Sequence, residues 1–513
     1  MGVLSSYDLS RALAEKLGVP FVDLAESTID DIAAQSLPER VARRYQALPI
    51  GVHDDKVVVA MTFPGDVVAV DDIRTILGSA IAPVVAEPEQ LAAAIDRTWA
   101  GSRIASSVDA AHTEAEDPEV ATSIADVDDA PLVRLVNAIM GRAIDEGASD
   151  VHIQPEPQRV RIRIRVDGVL RDVSETPRSV LRPMISRLKI QAGLDITQTR
   201  IPQDGRFSIT VDGRRVDARI ATLPTGHGEA AVLRLLDERS GVFGFEELGF
   251  RPEELERYEQ AFSVPQGTII TSGPTGSGKT STLYATLLTV NTPDRNIISV
   301  EDPIEYKIEG TKQMQIDVKS GMTFPTALRS ILRADPDVIL VGEIRDLETA
   351  RIAAEAALTG HLVLSSIHTT RASAVPLRLI DMGVEPYLVT SALTCTVGQR
   401  LARKLCPRCS EPDVLDRTVV ESLRLPEELV ERGDIRRAVG CSYCSGSGYR
   451  GRTAIYEVML MTEEISRLVL GRASSHDIER WAVADGMDTL RTAALKRVAD
   501  GVLSLEEMLR VVV

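Results

Sequence analysis

Residues 273–280 read GPTGSGKT, and the fold is decided by this string. It fits G-x-x-x-x-G-K-[ST], a loop whose backbone N–H groups cradle nucleotide phosphates while its Lys reaches the outer phosphates and its hydroxyl residue meets Mg²⁺. Gly273, Pro274, Thr275, Gly276, Ser277 and Gly278 then form the cradle, with Lys279 and Thr280 as its charged and metal-facing ends. The flanks supply the context such a loop needs. Residues 267–271, GTIIT, make a short β-rich run, and Leu283, Leu287 and Leu288 recur at helical spacing beyond the loop. Strand, loop and helix predict an α/β nucleotide-binding fold with the loop at the carboxyl end of a strand. Further strand candidates at 296–300, 338–341 and 361–366 alternate with helical stretches, as a parallel sheet requires.

At about 150 residues per domain, a chain of 513 residues has room for three or four. A formal charge of −17 argues against a protein that coats nucleic acid, which carries a basic footprint. No run approaches the ~18 apolar residues of a membrane span, and the opening MGVLSSYDLSR lacks the basic-then-apolar order of a secretory signal. The chain reads as soluble and cytoplasmic.

Upstream of the loop the sequence changes character three times. Residues 1–103 read as a small α/β module: Leu9, Leu13 and Leu17 lie four apart before Gly18, residues 57–61 are a buried strand, and residues 71–77 and 89–99 are helices, with Trp99 in the core. From 104 to 130 the apolar pattern fails, and Asp109, Glu114, Glu116, Asp117, Glu119, Asp126, Asp128 and Asp129 accumulate, which predicts an extended acidic linker. Residues 131–243 read as an α+β domain. Leu132, Leu135, Val136, Ile139 and Ala143 mark an amphipathic helix, and residues 160–166 alternate strictly, with Arg161, Arg163 and Arg165 opposite the apolar face and an Asp167-Gly168 turn behind them. A second hairpin runs from Phe207, Ile209 and Val211 through Asp212-Gly213 into residues 216–220.

Within residues 244–513 three more stretches carry chemistry. Residues 338–341 are an apolar run ending in Gly342-Glu343, which sets a carboxylate at the mouth of a buried strand where it can orient water or Mg²⁺. Residues 299–305, SVEDPIE, bring Glu301, Asp302 and Glu305 together, a cluster that calls for a neutralising cation or Arg. His361 and His368 bracket a strand, so only one of them can stand beside a phosphate. Finally, Cys406 and Cys409, with Cys441 and Cys444, make two C-x-x-C pairs suited to a tetrahedral structural Zn²⁺, and Cys395 reads as a buried small residue.

Four ordered motifs give the chain a resemblance. GPTGSGKT is similar to the Walker A motif, ISVEDPIE to the aspartate box, ILRADPDVILVGEIRD to the Walker B segment and AALTGHLVLSSIHTT to the histidine box of the secretion-superfamily ATPases that power type IV pilus assembly and type II secretion. ASDVHIQP and IPQDGRF resemble that family's second N-terminal domain. The resemblance implies a RecA-like P-loop core, a preceding PAS-like α+β domain, a small N-terminal α/β module, a zinc-binding insert at 405–452 and a helical subdomain at 462–513. It implies ATP, Mg²⁺ and structural Zn²⁺ as cofactors. Lys279 would hold the β- and γ-phosphates, Thr280 the Mg²⁺, and Glu343 would support attack by water. Glu301 and Glu305 match the aspartate box, His368 the histidine that meets nucleotide, and Arg206, Arg219 and Arg234 are the candidates for arginines that reach the nucleotide from the preceding domain. The tetracysteine insert resembles the assembly and secretion branch rather than the retraction motors. Implied partners are an inner-membrane platform protein, a docking protein for the N-terminal module and five further copies in a ring. Some relatives bind cyclic di-GMP through a tandem RLG-type motif, of which this sequence keeps only a partial second element, so docking is the favoured role of that module. The rival readings are a nucleic-acid translocase or retraction motor on the same core, and a nucleotide-gated adaptor that barely turns over.

Overall fold

In the computed structural model the run that leads into the phosphate loop is the strand Gly267–Ser272, buried along its whole length. The structure describes residues 6–24, 27, 29–53, 56–95, 98–99, 131–211, 214–236, 244–423, 425–426 and 433–512. The acidic stretch 104–130 and the Asp212-Gly213 turn lie outside the described residues. Two compact units make up the chain, one of Met1–Asp237 with Gly440–Ser447 and the other of Glu238–Val439 with Gly448–Val513. No described helix is long and apolar enough to cross a membrane.

The first unit holds two sheets. Phe21–Val22 (β1), Ala47–His53 (β2), Lys56–Met61 (β3) and Ile81–Ala86 (β4) pair in the order β1-β4-β3-β2. Leu48, Val59, Met61, Ile73, Leu91 and Trp99 fill their core. The helix Val67–Leu77 starts where the Asp66 carboxylate accepts the N–H groups of Val68 and Ala69, both at 3.1 Å, so two of its four unsatisfied donors are met at once. The second sheet is antiparallel throughout: Ala148–Pro155 (β5), Arg159–Val166 (β6), Val169–Pro177 (β7), Gln203–Val211 (β8), Arg214–Thr225 (β9) and Gly228–Leu236 (β10), in the order β7-β6-β5-β10-β9-β8. Strict alternation along β6 buries Val160, Ile162 and Ile164 among side chains of the helices Pro131–Asp145 and Leu181–Gln191. The other face carries the arginines. Asp167 and Gly168, with φ of 49° and 82°, make the left-handed turn that a two-residue hairpin needs.

The second unit is built on Gly267–Ser272 (β11), Ile297–Glu301 (β12), Thr311–Gln315 (β13), Val338–Val341 (β14), Leu362–Ile367 (β15) and Leu393–Leu405 (β16). The insert follows, with the short ribbon of Glu411–Pro412 (β17) and Arg436–Arg437 (β18), and the last strand, Tyr449–Leu460 (β19), returns to the main sheet. The order is β13-β12-β14-β15-β11-β16-β19. All neighbours are parallel except β16 and β19, so the expected parallel sheet carries one antiparallel edge strand. Both faces are covered. Ile270, Val300, Ile339 and Val363 look toward the helices Phe324–Ile331 and Leu347–Leu358, while Ile269, Ile297, Leu340 and Leu364 look toward Lys279–Val290 and Pro252–Phe262. Double burial explains why these strands read as continuous apolar runs. The helices Glu463–Leu470, Ser475–Ala484, Leu490–Ala499 and Leu505–Val511 close the chain.

Candidate nucleotide site

The loop after β11 turns at Gly273, Gly276 and Gly278, all with positive φ, and at the first and last of these a side chain would also be crowded. Gly278 has φ of 88° and caps the helix Lys279–Val290, and a Cβ there would lie 2.7 Å from Gln399 Nε2. At Gly273 a Cβ would lie 2.5 Å from the Gln399 carbonyl oxygen. Gln399, itself buried on β16, also accepts a hydrogen bond from Thr282 Oγ1 at 3.0 Å, so this one residue backs the loop with its carbonyl and its side chain and ties it to the first turn of the helix. The Lys279 ammonium donates to the carbonyls of Gly273 (2.8 Å) and Pro274 (3.0 Å), holding the cradle closed on itself. Burial lowers its pKa, with Glu343 opposing and Arg400 adding to the shift. Thr280 is exposed at the start of the helix. A cradle that an added Cβ would fill, with an ammonium at its mouth, fits a bound polyphosphate.

Neighbouring strands end beside it. β14 leads into Glu343 and β15 into His368, and His368 Nε2 stands 3.5 Å from Glu343 Oε2. The other Glu343 oxygen is held by Arg345, whose own pKa this contact raises. His361 lies at the opposite end of β15, where its Nδ1 meets the Ala356 carbonyl at 2.8 Å. Within the carboxylate cluster, Glu301 lies at the carboxyl end of β12. Glu301 is 3% exposed and is satisfied by neutral donors: Tyr284 hydroxyl on Oε2, with Ser299 Oγ (2.6 Å) and Gln313 Nε2 (3.2 Å) on Oε1. A hydroxyl-and-amide cage of this kind meets the hydrogen-bonding needs of a buried carboxylate. Burial and the Glu301 charge together push the Tyr284 pKa up. Glu305 is set in the same turn, its backbone N–H 3.4 Å from the Tyr284 oxygen.

On the far side of the loop, Arg400 donates to the Gln399 carbonyl (3.0 Å) and to that of Thr370 (2.7 Å), just past His368. Glu457, 2% exposed, accepts the N–H groups of Ala372 and Leu490, both at 3.0 Å, and burial raises its pKa against those two bonds. Arg371 pairs with Glu479 at 2.7 Å. Arg206, Arg219 and Arg234 belong to the first unit, on the polar face of its antiparallel sheet. Cys406, Cys409, Cys441 and Cys444 bring their sulfurs within 4.8 Å of one another, and Cys441 and Cys444 stand 3.7 Å apart. Four thiolates on a tetrahedral Zn²⁺ are separated by ~3.8 Å, so the group fits a structural zinc. Cys395 is fully buried, which pushes its thiol up to about 12.

Residues 125–510 match the model of the family described as Type II/IV secretion system protein. The chain belongs to the type II/IV secretion system protein family. Residues 17–103 match a second model, the MshEN domain. The type IV pilus assembly ATPase PilB of Myxococcus xanthus is 39% identical to this secretion-system protein over 516 residues, 99% of this chain and 91% of the relative. The type II secretion system protein E of Xanthomonas campestris pv. campestris is 39% identical over 531 residues, 100% of this chain and 91% of the relative. Among solved structures, the Legionella pneumophila ATPase DotB aligns with a TM-score of 0.55 at 20% identity, over 73% of this chain and 94% of that one, a likeness of fold.

Sequence reasoning on this secretion-system protein missed Tyr284, Arg345, Gln399, Arg400 and Glu457. Arg345 carried a signal, since it lies two residues from Glu343 at the end of a strand. The others come to the site by pairing across the sheet or from the second turn of a helix, and nothing local marks them.

Proposed function

We propose that the chain is an ATP-hydrolysing motor, working as a ring of six, that drives assembly of type IV pili or of a type II secretion pseudopilus. The observation that carries this is the meeting of the closed P-loop, Glu343 and His368 at the carboxyl ends of adjacent parallel strands, with relatives along the whole chain that are named pilus assembly ATPase and type II secretion protein E. In this reading ATP displaces the loop carbonyls from Lys279, whose ammonium turns to the β- and γ-phosphates while backbone N–H groups of residues 273–280 take the remaining oxygens. Thr280 would hold Mg²⁺, which neutralises charge shared between the outer phosphates. Glu343, released from Arg345, orients the attacking water, and His368 meets the γ-phosphate end of the site. Glu301 and Glu305 shape the site's acidic wall. Arg206, Arg219 and Arg234 bring positive charge from the preceding domain to the transferring phosphoryl group. Domain movement with each cycle then acts on an inner-membrane platform protein, which keeps the motor at the membrane through its partners. The four cysteines hold a structural zinc, and the module over 17–103 serves as the docking element. Calorimetric titration with cyclic di-GMP tests the other reading of that module, and heat of binding there would replace the docking role with a sensing one.

The experiment is hydrolysis and filament assembly in Lys279→Ala and Glu343→Gln. Both variants should lose phosphate release, and Glu343→Gln should retain bound ATP. Wild-type turnover in either sinks the motor reading. Stimulation by nucleic acid, steeply weakened by salt, would move the assignment to a translocase.

A further inference from the structure

Residues 368–372 run from the end of β15, past that of β11, to β16 and β19, and this strap is gripped at successive residues. The Thr370 carbonyl accepts from Arg400 Nη2 at 2.7 Å, and the Arg371 guanidinium donates to both oxygens of Glu479 at 3.0 and 2.7 Å. Ala372 gives its N–H to Glu457 Oε2 at 3.0 Å, while its carbonyl takes the Thr396 hydroxyl at 3.1 Å. Gly398 makes the Glu457 contact possible. It stands directly opposite Glu457 in the β16–β19 pair, and a Cβ on it would lie 2.7 Å from Glu457 Oε2 and 2.9 Å from the Ala372 nitrogen. The second Glu457 oxygen accepts the N–H of Leu490 at 3.0 Å, where the helix Leu490–Ala499 begins, and Glu479 belongs to the helix Ser475–Ala484. Two C-terminal helices thus hold neighbouring residues of a strap whose first member, His368, faces Glu343. Ala372 and Glu457 are buried, and a buried donor that loses its acceptor carries its full desolvation penalty. The strap therefore moves with the helices.

We propose that Glu457 is a positioning residue for ATP hydrolysis: it holds the strap that sets His368 against Glu343 and, with the Arg371–Glu479 pair, links that pose to the two C-terminal helices. This role rests on the motor reading above. Such a link is reciprocal, so occupation of the nucleotide site biases the helices and a load on the helices displaces His368. The phosphate loop itself is left in place. Losing the link therefore lowers kcat more than it raises KM.

The test uses the full-length chain, with steady-state phosphate release from ATP and amide hydrogen exchange with and without the β,γ-imido analogue of ATP. Glutamine at position 457 keeps the volume but accepts only one of the two N–H groups, so it breaks the link at one end. Glu457→Gln should lower kcat about tenfold, with KM for ATP changed by less than about twofold. Glu479→Gln lies nearer the surface and decides the question if Glu457→Gln does not fold. It should lower kcat about threefold, and adding Arg371→Gln should lower it no further, because the two side chains form one link. In the wild type the analogue should slow exchange in residues 371–374 and in Ser475–Ala484, whereas in Glu479→Gln it should slow only the former. Wild-type kcat in a folded Glu457→Gln or in Glu479→Gln overturns the role, and so does slowing of Ser475–Ala484 that persists in Glu479→Gln. A Glu457→Gln chain whose KM rises as much as its kcat falls makes Glu457 a support of the whole site and overturns it too. A wild type that binds the analogue but releases no phosphate overturns the motor reading and the catalytic part of the role, while the exchange arm still decides the link to the helices.

Discussion

Tyr284→Phe removes one oxygen atom from the interior, and with it the bond to Glu301 and the longer one from the Glu305 N–H, so the coupling to Glu301 is read from a double-variant cycle. Both residues are almost completely buried, at 1% and 3% exposure. The Tyr284 hydroxyl is the donor that Glu301 Oε2 receives, whereas Oε1 has Ser299 and Gln313. A hydrogen bond to a charged group is worth about 1.5–3 kcal/mol, and stranding a buried carboxylate oxygen forfeits that amount. We take ~2 kcal/mol, a roughly thirtyfold change in the folding equilibrium. For a unit of this size each kcal/mol moves the melting temperature by about 2–4 °C, which gives a loss of about 4–8 °C. The assay is calorimetry of the full-length chain at neutral pH on wild type, Tyr284→Phe, Glu301→Gln and the double variant. Because the two groups touch, the cycle should return a coupling of about 1–2 kcal/mol. A Tyr284→Phe protein that melts with wild type, or a cycle whose single losses simply add, refutes the hydroxyl cage around Glu301.

Gly278→Ala forces a Cβ onto a residue with φ of 88° and against Gln399 Nε2 at 2.7 Å. With ~1–2 kcal/mol of backbone cost alone, nucleotide affinity should fall by about tenfold or more in a fluorescent-ATP titration, and unchanged affinity would contradict the close backing of the loop. Cys444→Ser, or chelation of the wild type, should release about one zinc per chain by atomic absorption and lower the melting temperature; a chain that carries no zinc when purified under reducing conditions refutes the metal assignment. Burial raises the Glu457 carboxyl above its ordinary 4.5, so its contribution to stability is complete below that value and is lost as pH rises through the folded one. Glu457→Gln lacks this slope, and its urea midpoint should therefore gain on wild type between pH 5 and pH 8; a constant difference across that range would show that Glu457 is not the buried acid described.

The strands β11, β12, β14 and β15 were legible because burial on both faces leaves nothing polar to break their runs. By contrast, β16 hides its nature. Its sequence, LTCTVGQRLARKL, interrupts the apolar pattern with Gly398, Gln399 and Arg400, the residues that turn toward the phosphate loop and the segment after His368. The interruption that conceals the strand is the part that builds the site. In the antiparallel sheet, β6, β8 and β9 were visible through alternation and turn residues, while β5, β7 and β10 went unread because their alternation of apolar and polar residues is weaker, although each pairs with a strand next to it in sequence. Glu301 shows a limit of charge counting. Three clustered acids called for a neutralising cation or Arg, and counting charges gave no sign that a tyrosine, a serine and a glutamine donate to the one that is buried while Arg345 pairs with Glu343. The arginines Arg206, Arg219 and Arg234 could be named from the sequence, but that they stand opposite one another across β8, β9 and β10 depends on register, which no single stretch encodes.

The strand that carries the phosphate loop has its two neighbours in β15 and β16, and β16 begins about 120 residues after β11 ends. A ribosome adding about 5–20 residues per second needs about 6–24 s to deliver it. Throughout that interval the loop glycines lack the Gln399 residue that backs them, and the apolar strand before them keeps both edges open until β15 is made and one open after it. The nascent chain thus holds its most conspicuous sequence early and its working site late, so the capacity to bind nucleotide arrives only once the C-terminal third is being made.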